Sequence, residues 1–235
     1  MCHTAPSLRH LLHCAGLGTG FAASVLQYWR YHEHMSAHSQ SLLTPEQYLE
    51  LERVAEFKSE YYGGRMYAMS GGTYPHSHII ANFTGAMFAA LRKSPCVVSS
   101  NDLRVRVSPE GLYTYPDVIV TCEKPKFADG QNDTLLNPVL LAEVLSKSTE
   151  SYDRGFKFRQ YRKTESLQEY ALVSQSAPLV EVYRRQSEGR WLLTTYEGLD
   201  AICRFDSVDC SVALADLYDK VRFEEDALPP RPPVT

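Results

Sequence analysis

Glu143 is the residue whose setting most needs a chemical explanation. It stands inside Val139-Leu140-Leu141-Ala142-Glu143-Val144-Leu145, a run that is otherwise wholly apolar. Such a run reads as a strand buried on both faces, where a lone carboxylate costs several kcal/mol unless a cation offsets it. Either a lysine or arginine supplies that cation, as a buried ion pair, or a metal ion does. Asp117 has a related setting: Pro116 precedes it and Val118-Ile119-Val120 follows, so it marks the start of a second apolar strand, where proline is tolerated. Alone, it reads equally as an ordinary aspartate at a strand boundary. If neighbouring strands bring it beside Glu143, the pair offers hard oxygen donors suited to Mg²⁺, with Mn²⁺ as a substitute, an ion that keeps several waters and bridges to phosphate.

Positive charge follows the second acid. Asp153, Lys157 and Tyr161 recur every four residues, which stacks them on one helix face, with Arg154, Arg159, Arg162 and Lys163 around them. Spacing alone is equally satisfied by a solvated basic face carrying an Asp153–Lys157 surface pair worth a few tenths of a kcal/mol.

Several elements must position these groups. Thr44-Pro45-Glu46 opens a first helix, with threonine as cap and proline at the first turn. Phe57 to Tyr62 and Arg65 to Met69 form a hairpin about Gly63-Gly64. Apolar residues from Tyr74 to Arg92 recur at three and four, predicting an amphipathic helix that Pro95 ends. Short strands are expected at Val97 to Ser99, Leu103 to Val107 and Tyr113 to Thr121, a loop over Glu123 to Asn137, and then the Glu143 strand. A helix capped by Ser148 or Thr149 follows, and strands at Glu169 to Val173, Val180 to Arg184 and Trp191 to Tyr196 complete the pattern. This order indicates an α/β fold with a central mixed sheet flanked by helices.

The 235 residues suffice for one domain with a proper core, and 44% hydrophobic with 22% charged residues excludes disorder as the general state. A formal net charge of -4 weakens the case for strong, diffuse attraction to nucleic acid, so such contact needs a local basic patch. Six scattered cysteines, Cys2, Cys14, Cys96, Cys122, Cys203 and Cys210, lack the spacing of a zinc site and read as reduced thiols in a cytoplasmic protein. Residues 1–40 hold six of the eight histidines and read as a polar extension, with Met35 as the expected natural start; 41–223 is the expected domain and 224–235 a proline-rich tail.

The strings Tyr115-Pro116-Asp117-Val118-Ile119-Val120, Glu143 through Lys157, and Tyr161-Arg162 resemble the Uma-type restriction endonuclease family within the PD-(D/E)XK nuclease superfamily. Likeness continues through Glu60, Gly64, Met69-Ser70, His76, Leu167 to Tyr170 and Val180 to Tyr183, so it covers roughly residues 41 to 220. The resemblance implies a restriction-endonuclease-like fold and Mg²⁺-dependent hydrolysis of nucleic-acid phosphodiesters, DNA first. It also implies metal on Asp117 and Glu143, with Glu60 as an additional acid. Where the superfamily has lysine two residues after the second acid this chain has Leu145, and the family pattern moves the basic role to Lys157, with Lys147 ranked below it. His76, Lys147, Asp153 and Tyr161 are substrate-contact candidates, with helix capping the simpler role for His76. No membrane contact is expected, and a homodimer is, since many nucleases cut as pairs. The rival functions are a nuclease-fold binding or assembly module without turnover, and a metal-dependent phosphoesterase acting on small substrates.

Overall fold

The structure, a computed structural model, describes residues 42–108 and 111–223. The chain divides into two units, Met1–Leu42 and Leu43–Thr235, and every described element lies in the second. The expectations for residues 1–40 and for the tail lie outside the described residues.

Helix α1 (Pro45–Val54) starts on a capping box: Thr44 Oγ1 accepts the Gln47 N–H, and Gln47 Oε1 accepts the Thr44 N–H. Strands β1 (Ser59–Tyr62) and β2 (Arg65–Ala68) pair antiparallel across Gly63 and Gly64, whose φ values of 57° and 82° are the left-handed conformation that a two-residue hairpin demands. Helix α2 (Tyr74–Leu91) follows, capped by Thr73. Then come β3 (Val97–Ser100), β4 (Arg104–Arg106), β5 (Tyr113–Thr114), β6 (Val118–Thr121), β7 (Thr134–Leu135) and β8 (Leu140–Leu145). A helical stretch runs through α3 (Glu150–Tyr152), a π-helical segment (Asp153–Lys157) and α4 (Phe158–Tyr161). Strands β9 (Glu169–Ser174), β10 (Leu179–Arg185), β11 (Trp191–Glu197), β12 (Ile202–Phe205) and β13 (Cys210–Ala213) precede α5 (Leu214–Leu217).

The central sheet is six-stranded and mixed, in the order β11-β10-β9-β8-β6-β3, with β8 and β9 parallel and the other neighbours antiparallel. All six residues of β8 are buried, because the strand has cover on both sides. Leu140, Ala142 and Val144 face the cluster built by Ile79, Phe83 and Met87 of α2. Leu141 and Leu145 face the opposite cluster, with Tyr161, Tyr170, Val105 and Leu135. That second cluster is roofed by a smaller sheet, β2-β1-β5-β4-β7, on which Tyr48 and Leu49 of α1 pack.

Four expectations are corrected. The strand foreseen over Tyr113 to Thr121 is two strands in two sheets, β5 and β6, parted at Tyr115-Pro116-Asp117; Pro116 lacks the N–H that would carry one ladder through. The loop over Glu123 to Asn137 contains β7, which pairs with β4. A further hairpin, β12-β13, closes over the α2 side. Cys96 and Cys122, which flank the β3–β6 pairing in register, form a disulfide instead of staying reduced, whereas Cys203 and Cys210 are free and buried. Cys2 and Cys14 lie outside the described residues.

Candidate active site

The register of β6 on β8 pairs Val118 with Ala142; continued by one residue, it sets Asp117 opposite Glu143 at the end of the ladder. Asp117 leaves the sheet where β5 and β6 part, and its Oδ2 accepts the Val144 N–H at 2.8 Å. His76, from the first turn of α2, brings Nε2 to 3.5 Å of the same oxygen. This carboxylate first, against the opposing effect of burial, holds the imidazole above its ordinary value.

Glu143 is 4% exposed and Lys157 5%. Glu143 Oε1 accepts from the Lys157 ammonium at 3.1 Å and from the Tyr161 hydroxyl at 2.7 Å. The same ammonium lies 3.2 Å from Glu60 Oε1 and 3.4 Å from Asp153 Oδ1. The ammonium therefore hydrogen-bonds Glu143 and shares its charge with Glu60 and Asp153 as ion pairs. Glu60 reaches the ammonium because alternation along β1 sends Tyr61 toward α1 while Glu60 and Tyr62 face the helical stretch; Tyr62 packs edge-on against Phe156 with ring centroids 4.7 Å apart. Glu60 also accepts the Thr114 hydroxyl on Oε1, and the Tyr152 hydroxyl on Oε2 at 2.8 Å.

The helical stretch widens where it meets these acids. The Phe158 N–H bonds the Asp153 carbonyl, five residues back, and this π segment presents Asp153 and Lys157 to the cluster while Tyr161 follows one turn later. Burial pushes the Glu143 carboxyl well up; Lys157 pulls it down, and Asp153 and Asp117 push it further up. Burial likewise raises Asp153 against the pull of Lys157. For Lys157 burial acts downward, but the charges of Glu143, Glu60 and Asp153 outweigh it and hold the ammonium well above its usual range. Burial, then Glu143, raises the Tyr161 phenol, which stays a donor.

With this geometry in hand, likeness to known proteins becomes informative. Residues 45–214 match the model of the Uma2 family, described as "Putative restriction endonuclease". The chain belongs to the Uma2 family. Among relatives of this Uma2 chain, the uncharacterized protein slr1290 of Synechocystis sp. is 37% identical over 193 residues, covering 80% of this chain and all of that protein. Its companion sll1609, also uncharacterized, is 34% identical over 164 residues, 70% of this chain and 93% of that one. A crystal structure from Anabaena variabilis, described as a putative nuclease belonging to DUF820, shares the fold at a TM-score of 0.61 and 20% identity, covering 75% of this chain and 97% of that one.

In the Uma2 chain the structure brings together Glu60, Asp117, Glu143, Asp153, Lys157 and Tyr161, with His76 at the edge through Asp117. Lys147 is exposed on the turn after β8. His76 does not cap α2: Thr73 does, receiving the His76 N–H. Thr149 stands at the N-cap of the helical stretch, but its side chain makes no capping hydrogen bond; Ser146 Oγ accepts the Thr149 N–H. The Asp153–Lys157 pair is buried, not a solvated surface pair. Sequence reasoning missed Thr114 and Tyr152, the partners of Glu60; the spacing of Tyr152 and Phe156, whose rings stack, was the available signal.

The donor chemistry suits a hard cation. Fully ionised, Glu60, Asp117, Glu143 and Asp153 would set four carboxylates against one ammonium and one imidazole; a divalent ion would offset that excess and counter the burial that raises Glu143 and Asp153. Among the described residues no three carboxylate, imidazole or thiol groups form an ion cage of their own, and Mg²⁺ needs none, because one or two carboxylates with waters hold it. Asp117 and Glu143, which the β6–β8 register sets opposite each other, are the acids that would supply such a pair. Among the described residues no helix is long and apolar enough to cross a membrane.

Proposed function

We propose that this chain is an endonuclease that hydrolyses phosphodiester bonds of nucleic acid, DNA first, with Mg²⁺ or Mn²⁺ as cofactor. The observation that carries the reading is the buried Lys157 ammonium, shared among Glu143, Glu60 and Asp153 beside Asp117. Strongly shifted titratable groups gathered in one enclosed cluster mark a functional site, and a surplus of acid there would suit a divalent ion, whose own charge would then meet the phosphate. Asp117 and Glu143 would hold the divalent ion, which when bound supplies positive charge to the phosphate oxygens. Lys157 is protonated and desolvated, so its N–H groups offer charge to the phosphate as its negative charge grows in the transition state. The Val144 N–H fixes the Asp117 carboxylate, the Tyr161 hydroxyl fixes Glu143, and Glu60, itself held by Thr114 and Tyr152, positions Lys157. Cutting as a homodimer belongs to this reading; a cytoplasmic setting, argued from reduced thiols, loses that support to the Cys96–Cys122 disulfide.

The test is nicking of supercoiled plasmid by the purified full chain in EDTA, Mg²⁺ and Mn²⁺, with Asp117→Asn and Glu143→Gln alongside. Nicking is expected only with divalent ion, and at least about a hundredfold less in each variant. Undiminished cutting by either variant rejects the assignment. The ion-pair network also stands without metal, which favours, as the second reading, a nuclease-fold module that binds DNA and leaves it intact at every metal concentration. Turnover of nucleotides without plasmid nicking would point to a small-substrate phosphoesterase.

A further inference from the structure

Beside the acid cluster, Arg154 is tied to Glu150 at 2.7 Å and to Glu181, and so is not free to hold a substrate strand. With a net charge of -4, a strand binder needs cations gathered elsewhere. They occur in a cleft of about 400 Å³ between the first turn of α2 and the turn after α5, lined by Tyr74, Pro75, His78, Lys220, Val221 and Arg222. Building on the nucleic-acid reading above, we infer that this cleft is a second contact for the substrate strand, in which Lys220 and Arg222 hold neighbouring phosphates and Tyr74 stacks on a base.

The cleft is built in advance. His78 Nε2 donates to the Asp219 carbonyl at 2.9 Å, and Asn82 Nδ2 donates to the same carbonyl at 2.9 Å and to that of Leu217 at 3.1 Å. Two donors from α2 thus pin the turn after α5. The Val221 N–H bonds the Tyr218 carbonyl at 3.0 Å, and the Tyr218 ring meets Phe223 edge-on at 5.5 Å. Within this clamp Lys220 takes a φ of 58°, a left-handed conformation that a lysine adopts at a cost and that the surrounding bonds enforce. The cations are also available. The Lys220 side chain is 80% exposed and, among the described residues, ion-pairs only with its neighbour Asp219, at 3.5 Å, a pair worth little in solvent. Arg222 is exposed and makes no ion pair among the described residues.

Tyr74 is 79% exposed, and its ring lies 5.7 Å from that of His78. An exposed aromatic beside two exposed cations, one of them only weakly paired, is the combination that grips a single strand, the ring taking a base and the cations its backbone. Position agrees. His76, on the same turn of α2, faces Asp117 at 3.5 Å, and at about 100° per residue Tyr74 and His78 occupy the other side of the helix. A strand leaving the acids for the cleft would cross the end of α2, a helix roughly 10 Å in diameter.

The test is fluorescence anisotropy of a labelled single-stranded oligonucleotide with the full chain in EDTA, from 50 to 200 mM salt, with plasmid nicking measured separately in Mg²⁺. Lys220→Ala/Arg222→Ala should bind about tenfold more weakly, and the slope of log K against log salt should flatten by about 1.4, two phosphates at ~0.7 each. Tyr74→Ala should also bind about tenfold more weakly, while Tyr74→Phe retains wild-type affinity. Variants that bind with wild-type affinity and slope overturn the cleft, and if the wild type still nicks plasmid, the nuclease reading survives that failure. Wild type that binds through these residues and never cuts supports the cleft and removes the nuclease reading. Absence of any binding by the wild type overturns the cleft.

Discussion

Replacing Lys157 with methionine keeps the length of the side chain and deletes its charge, leaving Glu143, Glu60 and Asp153 without the ammonium now 3.1, 3.2 and 3.4 Å away. Breaking a buried pair from one side costs about 3–5 kcal/mol. Against a total stability of about 5–15 kcal/mol the variant folds with a narrow margin, and at a urea slope of about 2 kcal/mol/M its midpoint drops by about 2 M. The cost should depend on pH. Lys157 has a folded value above its ordinary 10.5, so its own contribution is complete below 10.5 and is lost only as pH rises through the folded value. Between pH 5 and 8 it is constant. Glu143 and Asp153 are raised acids, so they favour the fold most when protonated, and they cost stability as pH climbs from the unfolded values of 4.5 and 3.8 toward the folded ones. Removing Lys157, which pulls both down, raises them further. The deficit of Lys157→Met should therefore be largest at pH 8 and shrink toward pH 5, by up to about 1.4 kcal/mol per pH unit for each proton taken up. Adding Glu143→Gln should restore part of the loss at pH 8. Urea denaturation in EDTA at pH 5, 6.5 and 8 measures all three proteins; a deficit below about 1 kcal/mol, or one equal at every pH, would show that Lys157 is solvated and the acids do not depend on it.

Two further expectations concern the surroundings of the site. A Cβ on Gly72 would stand 2.7 Å from His76 Nδ1, so Gly72→Ala should push the ring off Asp117 and bring its raised value back toward the ordinary 6.5, as followed by NMR titration; an unmoved titration would show that the ring does not rest there. The Cys96–Cys122 disulfide closes a loop with a sequence separation of 26, and chain-entropy arguments assign such a link about 3–4 kcal/mol. Dithiothreitol should lower the urea midpoint accordingly, and an unchanged midpoint would mean that the thiols are not joined in solution.

Much of the fold was legible because the local signals agreed with one another. Thr44-Pro45 started a helix, Gly63-Gly64 turned a hairpin, and Val139 to Leu145 formed a strand with cover on both faces. What escaped depended on partners distant in the chain. Thr134-Leu135 carries no strand pattern of its own and becomes β7 only because β4 offers an edge. Tyr113 to Thr121 looks continuous until two sheets compete for its halves. At the site, the spacing of Asp153, Lys157 and Tyr161 put them on one face, but only tertiary packing decides whether that face meets water or Glu143. Likewise, nothing near Glu60 announces Thr114 or Tyr152, because those contacts cross sheets.

The widened turn at Asp153–Lys157 bears on how this stretch tolerates change. In an evenly wound α-helix a step of four residues overshoots one revolution by about 40°; a roomier turn trims that overshoot and lines up Asp153 with Lys157. Excising a single residue from the regular turn that follows, Phe158–Tyr161, where no roomy turn absorbs the change, would swing everything downstream by about 100°, carrying the Tyr161 phenol away from the acid it now touches. Side-chain swaps at Arg154 or Phe156 leave that phase intact, so this segment accepts altered spelling far more readily than altered length.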